Sequence, residues 1–132
     1  MFMYCNQFYY PHVGIVFRDL KKIKKIIITM DFSSASCSFK QKRKEILSIL
    51  DETIDNISNY KVSYHGENIK RYRSYINKLC KKSNKLYKLI FSLRKIEPKN
   101  SKRLNAQIKA FILASNCVKH LMHDNQMLSL YS

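Results

Sequence analysis

Two glycines and two prolines are the only residues in this 132-residue chain that readily break regular structure. Glycine supplies the positive-φ conformations of tight turns and proline stops or bends regular elements, so a sandwich or barrel of many short strands requires more of both. Scarcity of these residues predicts a few long elements, and the long elements of globular proteins are helices. The length allows one modest core and not two.

Apolar spacing supports this reading. Ile46, Leu50, Ile54, Ile57 and Tyr60 recur at intervals of three and four, which lines one face of an α-helix from about Lys40 to Tyr60. Ile69, Tyr72, Ile76, Leu79, Ser83, Leu86 and Ile90 continue the same alternation as a narrow seam of coiled-coil type. Between them, His65 and Gly66 sit in a polar stretch, the natural reversal point. Two helices joined by a short turn lie antiparallel, each covering the other's stripe.

Charge divides the chain into four zones. Residues 40 to 68 hold five basic and five acidic side chains, whereas residues 69 to 109 hold 14 Lys or Arg and one acid, Glu97. Residues 1 to 39 carry five basic groups, Arg18, Lys21, Lys22, Lys24 and Lys25, against Asp19 and Asp31; residues 110 to 132 carry only Lys119 and Asp124. The formal net charge is +16. Lys70, Arg71, Arg73, Lys78, Lys81, Lys82, Lys85 and Lys88 crowd the second helix almost without acidic partners of its own, and Arg94, Lys95, Lys99, Lys102 and Arg103 extend the series. The acidic Asp51, Glu52 and Asp55 of the first helix balance part of this charge, but exposed pairs contribute only about 0 to 1 kcal/mol each. The remainder implies a polyanionic partner, with nucleic acid first. Tyr72, Tyr75 and Tyr87 alternate with these basic residues, a pattern that can hold phosphates while stacking on unpaired bases.

Other chemistries find little support. No carboxylate pair, Ser-His-Asp set or Gly-rich phosphate loop stands at useful spacing, so no catalytic residues are assigned. Cys5, Cys37, Cys80 and Cys117 form neither a metal-binding spacing nor a disulfide framework, which suits reduced thiols in a cytoplasmic protein. Cys117 and His120 share a helix face but His123 turns away, so no metal and no cofactor are expected. The longest uncharged piece, residues 1 to 17, contains Asn6, Gln7, Pro11, His12 and Gly14 and predicts no membrane insertion. Basic residues follow this piece instead of preceding it, opposite to a secretory signal, although a basic, nearly acid-free leader also fits a mitochondrial presequence.

One stretch also resembles a known family. Glu45, Ile46, Leu47, Leu50, Asp51, Ser58, Lys61 and Val62 follow the order of an E-x-L-L-x-x-L-D motif and its close. Ile69, Lys70, Arg73, Ile76 and Lys78 in NIKRYRSYINK resemble a K-I-R-x-x-R-x-x-I-A-R signature. Tyr87, Lys88, Leu93 and Arg94 in YKLIFSLRK, then SKRL at Ser101 to Leu104, resemble the segments after it. Together, over about residues 40 to 105, they resemble the universal large-subunit ribosomal protein number twenty-nine family, number thirty-five in eukaryotes. The resemblance implies a structural constituent of the large ribosomal subunit. Its partners would be ribosomal RNA near the peptide exit tunnel, neighbouring ribosomal proteins and nascent-chain factors.

The expected architecture is all-α: an antiparallel two-helix hairpin over residues 40–92, an N-terminal extension over 1–39, and a C-terminal extension over 93–132. The C-terminal part would hold a basic segment and a further C-terminal helix, and the extensions would otherwise be irregular and basic. Residues 1–29 have no counterpart in the family, and Met30 stands where a family member would start. The competing functional readings are a helical nucleic-acid-binding protein outside the ribosome and a basic amphipathic protein of membrane surfaces.

Overall fold

In the computed structural model the chain is all-α. Four helices follow one another: α1 (Phe2–Thr29), α2 (Cys37–Asn59), α3 (Ile69–Ile96) and α4 (Ser101–Ser129). The structure describes residues 2–30, 35–60, 69–96 and 101–130, with side chains over 12–30, 35–60, 70–93, 95 and 103–130. The expected turn at His65 and Gly66 lies outside the described residues.

Each helix packs on its chain neighbours and α4 closes back on α1, so the four form an antiparallel bundle. Cross-contacts fix the directions. Lys24 of α1 meets Asp51 of α2, while Arg43 near the start of α2 donates to the Ile27 and Ile28 carbonyls near the end of α1, at 3.4 and 3.3 Å. Glu52 meets Lys82 and Tyr60 stacks on Tyr75 across α2 and α3. Phe111 of α4 packs against Tyr87 and Phe91 of α3, and the Cys117 thiol points at the Val16 carbonyl of α1.

The expected stripes face the interior in part: Ile54, Ile57 and Tyr60 of α2 are half-buried at the core's edge, with Thr53 in the buried place, and the Ile69 side chain lies outside the described residues. Ile46 and Leu50 from α2, and Tyr72, Ile76, Leu79, Ser83, Leu86 and Ile90 from α3, are buried. Burial of each such Leu or Ile side chain contributes about 1.5 to 3 kcal/mol. Ser36 starts α2 as its N-cap, its hydroxyl accepting from the Phe39 amide at 3.2 Å.

The N-terminal segment, expected as an irregular extension, is the main difference; the C-terminal segment holds a helix, as expected, but a longer and more central one. Residues 2–29 form a continuous helix through Pro11 and Gly14, and Val16, Leu20, Ile23 and Ile27 on its inner face are fully buried. Residues 101–129 form α4, whose interfaces with α3 and α1 are the most extensive in the bundle. The physical reason lies in α4's side chains: Ala110, Ala114 and Cys117 are fully buried and small, so two helices approach it closely. The antiparallel α2–α3 pair is therefore half of a bundle.

Candidate nucleic-acid interface

Seven buried side chains fix the inner face of α3, and its outer face follows from the helical period. Opposite Tyr72, Ile76, Leu79, Ser83, Leu86, Ile90 and Leu93 stand Lys70, Lys78, Lys81, Lys85, Lys88 and Lys95, all exposed. At a rise of roughly 1.5 Å per residue, Lys70 to Lys95 covers about 38 Å. This is close to the roughly 34 Å of one duplex turn.

Among the described residues no carboxylate lies within ion-pair distance of Lys70, Lys78, Lys81, Lys85 or Lys88. Lys78–Lys81, Lys81–Lys85 and Lys85–Lys88 are like-charge neighbours at three or four residues, and each such pair destabilises a helix by about 0.2 to 0.5 kcal/mol. The face thus carries internal repulsion that a row of phosphates relieves.

The remaining basic residues separate by location. Lys82 turns toward α2 and donates to Glu52 at 2.6 Å; this hydrogen bond, then the Lys82 charge, holds the Glu52 carboxyl below its ordinary value. Arg71 stands at the α2 edge of the face, its charge acting on the Tyr60 phenol. Arg73 is half-buried and shares with Lys70, Ser74, Asn77 and Asn125 a polar cleft of about 480 Å³ between α3 and α4. Arg94 and Lys102 lie in α3 and α4, but their side chains are outside the described residues, as is Lys99 altogether.

Arg103 departs from the expected surface. It is 5% exposed, with its guanidinium 5.4 Å from the centre of the Phe39 ring, because the first turn of α4 faces the start of α2 across the bundle. Arg103 is a packing residue.

The tyrosines also leave the basic face. Tyr72 is in the core, Tyr75 stacks on Tyr60 with ring centres 3.7 Å apart, and Tyr87 packs on Phe111 at 4.9 Å. Burial raises the Tyr75 phenol pKa and, to a lesser degree of enclosure, that of Tyr60. Beside the lysines the exposed ring is Phe91, 44% exposed with the Lys95 Nζ 5.7 Å from its centre, so the expected tyrosine platform is replaced by one phenylalanine and the chemistry of this face is mainly contact with phosphate.

The acidic helix finds partners on the neighbouring helices, at the bundle's surface. Asp51 binds Lys24 at 2.6 Å and Glu52 binds Lys82 at the same distance, so α2 joins the basic helices on either side.

Sequence reading missed two features because each joins helices far apart in the chain. His12 of α1 is hydrogen-bonded to the fully buried Asp124 of α4, with the His120 and His123 rings beside it. Burial raises the Asp124 carboxyl pKa against the opposing pull of His12. Among the described residues no three His, Cys, Asp or Glu side chains are placed to hold a metal ion. The second feature is an apolar groove between α1 and α4. The sequence signals near it are Lys22 and Lys25 and the nearly uncharged zone after residue 110, which the sequence does not join.

No helix among the described residues is long and apolar enough to cross a membrane. No protein-family model matches the chain, and neither a curated protein nor a solved structure matches it.

Proposed function

We propose that the protein binds nucleic acid through the phosphate backbone along the outer face of α3. The observation that carries this reading is the row Lys70, Lys78, Lys81, Lys85 and Lys88, exposed on one side of one helix with no carboxylate at ion-pair distance among the described residues, the Lys85 charge acting only at longer range on Glu52. Phosphate contacts from such a row position a protein on its nucleic acid and read no sequence. Binding is therefore strongly salt-dependent and tolerant of base composition.

The finer reading is carried by the resemblance over residues 40 to 105. In it the nucleic acid is large-subunit ribosomal RNA near the peptide exit tunnel, and the protein is a structural constituent of that subunit beside neighbouring ribosomal proteins and nascent-chain factors. Sedimentation of the native protein through sucrose gradients, with and without EDTA, tests it. Co-migration with large subunits in both gradients is expected. Recovery at the top of a low-salt gradient overturns the ribosomal reading. The phosphate-binding reading has its own test, binding of the purified chain to RNA against salt.

A further inference from the structure

The outer side of the bundle opposite in character to α3 is the seam between α1 and α4. Residues 110 to 118 of α4 carry no charge, although this helix packs on only two neighbours and turns a side to solvent. Ile108 and Ile112 stand on that side, Ile112 at 52% exposure. Around them the solvent side of α4 is mixed, with Asn105, Lys109 and Lys119 exposed, so the apolar surface at Ile112 is confined to the strip that meets α1.

Beside this face runs a groove of about 520 Å³, floored by Ile26, Ile112 and Leu113 and edged by Lys22 and Lys25 from α1 and Lys109 from α4. It continues past Ile26 and Lys109 into a second hollow of about 430 Å³ at Met30 and Ala106. No carboxylate lines either hollow. The trough is concave, has an apolar floor, and carries positive charge on both banks.

From this geometry we infer that the α1–α4 groove docks an acidic amphipathic helix of a partner protein, its apolar ridge on Ile26, Ile112 and Leu113 and its flanking carboxylates on Lys22, Lys25 and Lys109. A convex ridge with charge on both flanks complements a trough with charge on both banks. A flat anionic membrane is less complementary, because it offers no ridge to fill the hollow between the two helices. A second copy of this chain is disfavoured by the repulsion between two molecules of net charge +16. The site is separate from the lysine row of α3, so it adds a protein partner to the proposed nucleic-acid contact.

The test titrates the full chain into a fluorescently labelled synthetic helix with a leucine ridge and glutamates along both flanks. A second peptide has lysine at every glutamate position. Phosphatidylcholine vesicles with and without phosphatidylserine, and sedimentation equilibrium of the chain alone, complete the set. The glutamate peptide is expected to bind, and the lysine peptide to bind at least about tenfold more weakly. Ile112→Asp, at a position exposed enough to leave the fold intact, is expected to weaken the glutamate peptide by about tenfold or more while RNA binding stays unchanged. Lys22→Glu with Lys109→Glu is expected to invert the preference between the peptides.

Equal binding of the two peptides, absence of binding, or peptide binding that survives Ile112→Asp overturns the inference. So does vesicle binding dependent on phosphatidylserine and lost in Ile112→Asp, which assigns the groove to lipid, and so does self-association lost in the same variant. Because RNA binding is read separately, failure here is distinct from failure of the lysine row.

Discussion

Gly14 lies on an exposed side of α1, and a Cβ placed there meets nothing within 4 Å. Glycine within a helix costs about 0.5 to 1 kcal/mol relative to alanine through backbone entropy. Gly14→Ala is therefore expected to raise the urea midpoint by that amount of stability; a fall means that α1 is not helical at this point. Cys117 gives a second single-residue test. Burial, and then the nearby Asp19 charge, push its thiol pKa up to about 12, and the thiolate is the reactive form. In chains retaining one cysteine each, the exposed Cys37 is expected to react promptly with a thiol reagent at mildly alkaline pH, and Cys117 only as the chain unfolds. Prompt labelling of Cys117 contradicts its place between α1 and α4. In the core, Leu50→Asp or Ile76→Asp puts a charge into a fully buried apolar contact and costs several kcal/mol, so helicity is expected to fall in both.

At the scale of elements, α2 and α3 were legible because each has one buried face and one charged face, which writes a clear period into the sequence. A helix in the C-terminal segment was legible as an element but not in its extent or inner side, and α1 was not legible. In α1, Pro11 and Gly14 read as breaks, yet the helix runs through them with Val16, Leu20, Ile23 and Ile27 inward. In α4 the apolar residues are spread around the axis and the buried positions include small Ala110 and Ala114, so no stripe marks its inner side. The basic residues were legible as a group but not as a face: Lys82 and Arg103 have the charge of the others, and only the neighbouring helices show that one turns to Glu52 and one is buried. The cross-helix pair has a defined pH signature. The Glu52 carboxyl sits below its ordinary value, so its contribution to stability is present above pH 4.5 and is lost as pH falls through the lowered value. A small difference in thermal midpoint between the parent and Glu52→Gln is expected near neutral pH and low salt, vanishing in acid. A difference that grows in acid contradicts the pairing with Lys82.

For the whole molecule, the bundle separates three surfaces by composition: a lysine row on α3, an acidic helix tied on both sides to basic neighbours, and an apolar groove edged by lysines between α1 and α4. With a net charge of +16, self-repulsion disfavours the compact state, and a polyanion along α3 offsets it. The division of surfaces makes opposite demands on two triple variants. Lys78→Gln, Lys81→Gln and Lys85→Gln remove phosphate contacts; Asp51→Asn, Glu52→Gln and Asp55→Asn remove none. The deciding measurement is the RNA association constant as a function of salt for the parent and both variants. Each phosphate contact releases about 0.7 to 0.9 of a counterion, so the lysine variant is expected to bind more weakly with a slope of log K against log salt shallower by about 2 to 3. The acidic variant is expected to keep the parent slope and bind equally or more tightly. An unchanged slope in the lysine variant, or equal losses in both, contradicts phosphate binding by the outer face of α3.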